Sequence, residues 1–400
     1  MPDKIISKPE HDSEDENIYH QFGYCEIQGF RKSQEDALAW EVLPPELFQN
    51  LSPTQVGHRM WTAYQNLSDQ LFTFLTKDKI TKKSGTTAST TVISKDYIVT
   101  ATLADTVAFA VIYDTNGRVV KAHRLNKRIL TPIAELERIK AARGVVIEGR
   151  VQGVLAVSRA IGDYTLNVLW SNGGNTHFPL PEEPSRIIPD ADIDIWSLSS
   201  VPTQYTVQII TTCDGFTEIA NEKNIDHAQY LMNFLNKMKN NHPSQPLSEL
   251  EIAKQLVNFA LEDGSKDNIS VSVQTKSANF TGMTGIYDGH DGTASSHYVA
   301  ENIGAELTRL LTLNEADYDQ EKNSVTNRKK DYERDNGKCR VNTHDLGRDL
   351  PPPVAATTNS SAGIKRGLAG APTFLADKTP YQGKRKKEDP EENETKKPKY

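Results

Sequence analysis

The chain has 400 residues, room for one large domain or two ordinary ones, and its 37% hydrophobic content and net charge of -7 fit a globular part joined to a polar segment. The acidic balance argues against general nucleic-acid binding by the whole chain. No apolar run reaches membrane-spanning length, the stretch MPDKIISKPEHDSEDEN lacks the apolar core of a secretory signal, and Cys25, Cys213 and Cys339 are too few and scattered for a disulfide framework or a zinc cluster. A reducing, cytoplasmic setting is the expectation, with no membrane partner.

Residues 1–17 read as a flexible polar arm. Strand-like runs follow at Tyr24–Ile27 and Ala37–Trp40, joined through GFRKSQED. Ser52-Pro53 places a capping hydroxyl and a first-turn proline at a helix start, and Met60, Tyr64, Leu67, Leu71 and Leu75 then recur at helical spacing. Strands are expected at Ala88–Ile93, Tyr97–Leu103, Val107–Tyr113 and Arg118–Ala122, a short helix at Ala134–Ala142, and a further strand pair at Val145–Ile147 and Gly153–Val157. Leu166–Pro184, rich in Asn, Gly and Pro, reads as a surface excursion. Ala191–Trp196, Thr206–Thr211 and Ile269–Gln274 are strands, and Asp226–Asn240 and Ser248–Glu262 are helices. After Gly285–Tyr287 comes a helix of about 18 residues with Val299, Ile303, Leu307 and Leu310 on one face. Many strands with a few paired helices predict an α/β (α+β) architecture, an antiparallel β-sandwich flanked by helix pairs, rather than a doubly wound parallel sheet.

Several carboxylates fall at the ends of these strands: Asp36, Asp214 before Gly215, Asp267 before Asn268, and Asp288 before Gly289. A sandwich gathers strand ends at one edge. Oxygen-only donors suit Mg²⁺ or Mn²⁺, and two such ions about 3.5–4 Å apart activate water for phosphoester hydrolysis. A single Asp-Gly pair is as readily a turn.

The segments GFRKSQEDA, SGTTAST, RVQGVLAVSRAIGD, TTCDGF, DGSKDN and IYDGHDG together resemble the signature segments of the metal-dependent protein phosphatases of type 2C, across roughly residues 20–311. The resemblance implies a β-sandwich with a two-metal site at one end and hydrolysis of phosphoserine and phosphothreonine in proteins. It implies Asp288 bridging both ions, the Gly289 carbonyl on one of them, Asp214 and Asp267 completing the cage, and Asp36 as a further ligand. Glu35 is implied to orient a water, Asn268 to support the site and Arg31 to grip the substrate phosphate, for which a guanidinium's paired donors suit. His290 is implied to protonate the leaving oxygen; alternatively it is a turn histidine bonded to backbone.

The order of segments departs from the family. There, the segment like IYDGHDG and its helix directly follow the segment like GFRKSQEDA; here they come after DGSKDNISVSVQ. Because loop length costs entropy only slowly, a transposed strand and helix can still occupy their place, and Asp288 is expected beside Asp36 and Asp214. Completion of the site across a swapped dimer is the other route; a monomer is the expectation. Two further departures are Val107, where the family's ANxGDSR-like segment has Arg, and the lack of a carboxylate in Arg124–Arg128, which puts a third metal in doubt. A binding pseudophosphatase and a scaffold acting through its tail are the alternative readings.

The phosphatase-like domain is placed at residues 18–316. Residues 317–400, with Pro351-Pro-Pro, TTNSSAG and charge runs, read as a largely disordered tail. Within it Lys384–Lys387 is either a signal for a nuclear import receptor or a solvated charge run, and the acidic stretch after it resembles signals for delivery into a host cell.

Overall fold

A computed structural model describes residues 21–77, 83–126, 131–170, 176–177, 185–241, 247–277, 280–327 and 339–353. The readings made for residues 1–17, for Arg128 and for Lys384–Lys387 lie outside the described residues, as do residues 171–175 and 178–184 of the expected surface excursion.

The strands are β1 (Phe22–Ile27), β2 (Ala37–Val42), β3 (Gly85–Thr86), β4 (Ala88–Ile93), β5 (Tyr97–Leu103), β6 (Val107–Tyr113), β7 (Val119–Arg124), β8 (Val146–Ile147), β9 (Arg150–Val151), β10 (Ile161–Gly162), β11 (Leu169–Trp170), β12 (Thr176–His177), β13 (Asp192–Ser197), β14 (Thr206–Thr212), β15 (Ile269–Thr275), β16 (Gly282–Tyr287), β17 (Gly289–His290) and β18 (Arg340–Asp345). The helices are α1 (Pro53–Lys77), α2 (Leu136–Ala141), α3 (Asp214–Glu222), α4 (His227–Asn241), α5 (Glu249–Asp263), α6 (Ala294–Thr312) and α7 (Glu315–Asn327).

Two sheets face each other. One has the order β1-β15-β14-β6-β7 and the other β18-β13-β5-β4-β16-β2; every pairing in them is antiparallel except β13 with β18. The alternation of β6 shows how the layers form. Ala108, Ala110 and Ile112 face the other sheet, against Ile93, Ile98 and Trp196. Val107, Phe109 and Val111 face the outer helices, where Leu231, Leu235, Leu256 and Val257 of α4 and α5 cover them. On the far side α1 and α6 lay Met60, Leu67, Val299, Ile303 and Leu307 against the second sheet. Val107 therefore sits in a core strand and is fully buried.

Local chemistry explains the helix ends. Ser52 Oγ accepts from Gln55 N at 3.2 Å and Ser52 N donates to Gln55 Oε1 at 2.7 Å, a reciprocal cap ahead of Pro53. Ser248 and Glu251 do the same for α5, which ends on left-handed Gly264.

β16 comes late in the chain yet lies between β2 and β4. It is held there by a buried polar chain: Tyr287 Oη lies 2.7 Å from Thr90 Oγ1, and Tyr64 Oη donates to the same Thr90 oxygen at 2.8 Å. A third, small sheet of order β10-β3-β17 ties three of the signature segments together.

Two expectations are corrected. Gly153–Val157 is not a strand: Gln152 and Gly153 take left-handed φ of 55° and 69°, so the chain turns there, and β9 ends at Val151. The domain does not end at residue 316 either. Helix α7 buries Tyr318 and Val325 in the core, with the Arg59 guanidinium 4.2 Å from the Tyr318 ring centre, and β18 adds to the sheet beside β13. Both are too polar along their length to stand out in sequence; a few anchoring side chains and a waiting sheet edge order them.

Candidate active site

The loop between β1 and β2 carries Arg31, Glu35 and Asp36, and Asn268 pins it down. Asn268 Nδ2 donates to the carbonyls of Gln28 and Ser33 at 2.8 and 2.9 Å, and its Oδ1 accepts from Glu35 N at 3.0 Å. Asp36 then enters the interior, 2% exposed, where its Oδ2 accepts from Ser270 Oγ at 2.7 Å. Its Oδ1 is buried without a hydrogen bond of full geometry. Glu35 stays half-buried, and its carboxylate accepts from Ser33 Oγ at 2.7 Å.

Asp214 opens α3 directly after β14, and Asp288 follows β16. Thr87 N and Thr86 Oγ1 each donate to the Asp288 carbonyl at 3.0 Å, which fixes its backbone. Donor atoms of Asp36, Cys213 and Asp288 all lie within 4.8 Å of one another. Asp214 lies close enough to Asp288 for its charge to raise the Asp288 pKa. The chain thus brings the carboxylates of its first and last signature segments to one point.

The electrostatics follow from crowding. Burial, then neighbouring Asp214, Asp36 and Asp105, holds Asp288 well above the carboxylate range. Asp36 is pushed up to about 7, chiefly by burial and against the Ser270 hydrogen bond. Burial and Asp267 raise Asp214, and burial raises Asp267 although Arg31 pulls the other way. Like charges at one point are relieved only by protons or cations. An oxygen-rich set with an unsatisfied buried Asp36 oxygen therefore fits hard divalent cations.

Gly289 is bound by space: a Cβ there would overlap the Glu35 carbonyl and meet Ser296 Oγ at 2.7 Å. Arg31 is mostly exposed and pairs with the Asp267 carboxylate. The His290 Nε2 lies 2.8 Å from Asp163 Oδ2. Burial disfavours the charged imidazole, but Asp163 outweighs it and raises the His290 pKa.

Sequence reading passed over Asp105, Asp163 and Cys213. Asp105, in the turn between β5 and β6, is pushed up to about 7 by burial and by Asp214. Asp163 is 2% exposed at a left-handed φ of 53°, directly after β10. The Gly-Asp pair closing LAVSRAIGD was its one available signal. The Arg of that segment, Arg159, serves structure: its Nη2 donates to Glu135 Oε1 at 2.6 Å, and Arg138 joins the same buried carboxylate.

A family model for protein phosphatase 2C matches residues 1–269, and the chain belongs to that family. The match stops at Ile269, ahead of Gly285–Gly292. Human protein phosphatase 1B is 28% identical over 222 residues, 55% of this chain and 40% of that protein. Human protein phosphatase 1A is 29% identical over 138 residues, 34% and 30% respectively. The chain thus spans less than half the length of these curated relatives. Among solved structures, a phosphatase from a pathogenic strain of Toxoplasma gondii aligns with a TM-score of 0.45 at 17% identity, over 67% of this chain and 96% of that one. The serine/threonine phosphatase Stp1 from Staphylococcus aureus aligns with 0.41 at 13% identity, over 64% and 94%.

Proposed function

We propose that this chain hydrolyses phosphoserine and phosphothreonine in proteins, with a metal site completed by a strand-plus-helix unit, β16 to α6, that has moved along the sequence while keeping its place in space. The observation that carries the reading is the meeting of Asp36 and Asp288 donor atoms within 4.8 Å. Asp36, Asp214, Asp267, Asp288 and the Gly289 carbonyl would hold two ions, Mg²⁺ or Mn²⁺, which when bound supply activation of a water and neutralisation of phosphoryl charge.

The chain's own groups do the rest. Arg31, on the rim, donates paired hydrogen bonds to the substrate phosphate; it reaches the site from the same place where it now meets Asp267. Asn268 keeps the Arg31 loop in register through its bonds to Gln28 and Ser33. With His290 Nε2 facing Asp163, Nδ1 is the nitrogen left to carry a transferable proton, and Asp163 favours the charged ring and orients it for delivery to the departing serine or threonine oxygen. Asp163 is a positioning residue in this scheme. Glu35 lies close enough in sequence to Asp36 to order a water at the metal edge.

The test is phosphate release from a phosphothreonine peptide with Mn²⁺, with Mg²⁺ and with chelator. Metal-dependent release supports the reading. A folded, metal-loaded chain that releases nothing points instead to a binding pseudophosphatase.

A further inference from the structure

The end of the sandwich away from the carboxylate cluster carries a cavity of its own. β14 begins there with Thr206 and ends at Thr212, just ahead of Asp214, so about 20 Å of strand separates the two places. The cavity holds about 590 Å³, inside the roughly 300–1,000 Å³ range of small-molecule sites. Leu235 and Met238 of α4 and Ile252 of α5 form an apolar wall. The floor is polar and has a direction. Tyr113 Oη donates to Gln208 Oε1 at 2.9 Å, Gln208 Nε2 to Thr275 Oγ1 at 3.0 Å, and Thr275 Oγ1 to Glu249 Oε1 at 2.6 Å. Burial and Glu249 raise the Tyr113 pKa and keep its proton in place. The row of bonds thus ends on a carboxylate, which only accepts and has room for further donors.

A second cavity of about 490 Å³ is lined by Asn116, Arg118, Lys239 and Asn240. Lys239 lines both cavities and joins them. Its Nζ lies 3.5 Å from where a Cβ on Gly117 would stand, over the turn that Asp114 closes. Asp114 turns Oδ1 inward, accepting from Asn116 N and Arg118 N at 2.8 and 2.9 Å. An apolar wall and an acceptor floor therefore adjoin a basic chamber. A fatty acid suits the wall and the cations but buries the Glu249 carboxylate under alkyl groups, which costs binding. A planar base with an amino group suits the wall and donates to Glu249, and a phosphate on its sugar suits Arg118 and Lys239. We propose that the joined cavities bind a nucleoside monophosphate whose base carries an amino group. The proposal does not rest on the phosphatase reading.

The test is calorimetric titration of the full chain with adenosine monophosphate, with chelator present so that no metal draws the phosphate to the carboxylate cluster. The nucleotide should bind more tightly than adenosine or inorganic phosphate, each of which suits one cavity only. Arg118→Ala, a change at an exposed side chain, should lower nucleotide affinity by at least about tenfold, the worth of a hydrogen bond to a charged group, and leave adenosine unchanged. Lys239→Ala should weaken the nucleotide to a similar degree. Inosine monophosphate, with a carbonyl in place of the amino group, should bind at least about tenfold more weakly. Glu249→Gln should narrow that preference, because a carboxamide can donate to the carbonyl. Arg31→Ala should bind the nucleotide as the parent does. No saturable binding, phosphate binding as tightly as the nucleotide, or equal affinity for the two nucleotides overturns the proposal. So does nucleotide affinity that falls in Arg31→Ala and holds in Arg118→Ala. Should Glu249→Gln fail to fold, the comparison of the two nucleotides on the parent decides. Phosphate release is read separately: an inactive parent that binds the nucleotide loses the phosphatase reading alone, and an active parent that does not bind it loses this one alone.

Discussion

Asp163 and His290 meet across Gly85, and only a residue without a side chain lets them do so. Their Oδ2 and Nε2 atoms lie 2.8 Å apart, and a Cβ built on Gly85 would overlap both. The small sheet β10-β3-β17 is the frame: it sets Gly85 between Gly162 and His290. Gly85→Ala should therefore behave as a lesion of the pair.

The pair itself is tested by Asp163→Asn. Loss of the carboxylate lowers the His290 pKa and leaves the ring without its orienting charge, so kcat on a phosphothreonine peptide should fall about 100-fold, the lower reach of general-acid effects, with KM little changed. An aryl phosphate with a good leaving group needs no proton and should lose much less. Parallel kinetics on the two substrates decide it; equal losses on both would count against proton delivery by His290.

Arg31→Ala should raise KM for the peptide by about 10- to 100-fold, the worth of hydrogen bonds to a charged group. Arg31→Lys should recover only part, because an ammonium cannot donate in parallel to two oxygens. Steady-state kinetics at fixed Mn²⁺ would show it, and an unchanged KM in Arg31→Ala would remove Arg31 from phosphate binding.

Glu135 governs stability in acid. Burial opposes its charge, but Arg159 and Arg138 overcome that and lower its pKa to about 2, below the roughly 4.3 of an unfolded glutamate. A depressed carboxylate contributes stability that is whole above the unfolded value and is lost as pH falls towards the folded one. Glu135→Gln strands two buried guanidinium groups and should cost about 3–5 kcal/mol near neutrality. Urea midpoints from pH 7 to 3 should fall more steeply in the parent than in the variant; parallel curves would contradict this.

Gly289→Ala forces a methyl onto the Glu35 carbonyl. Overpacking of this kind costs about 1–3 kcal/mol, and since Gly289 lies next to Asp288 the Mn²⁺ concentration for half-maximal activity should rise. Thermal melts and a Mn²⁺ titration check both parts.

The sandwich was legible because strands such as β6 and helices such as α1 and α6 carry their buried faces in their spacing. Asp36, Asp214, Asp267 and Asp288 stood out at strand ends, and the structure brings donor atoms of Asp36 and Asp288 within 4.8 Å of one another, while Asp267 pairs with Arg31. Asp105 was hidden in a segment that departs from its pattern, and Asp163 in a turn whose partner lies 127 residues away. Cys213 was invisible as a donor, since nothing local tells a core thiol from one facing carboxylates. α7 and β18 escaped because their order comes from Arg59, Tyr318 and the edge of β13, which are tertiary facts.

The central claim is that the late segment completes the site. Its most direct test is Mn²⁺-dependent phosphate release by the parent and by Asp288→Ala, each confirmed folded by circular dichroism. The account predicts activity in the parent that chelator removes and that Asp288→Ala abolishes. Activity that survives in Asp288→Ala would contradict it, because Asp288 would then not belong to the working centre.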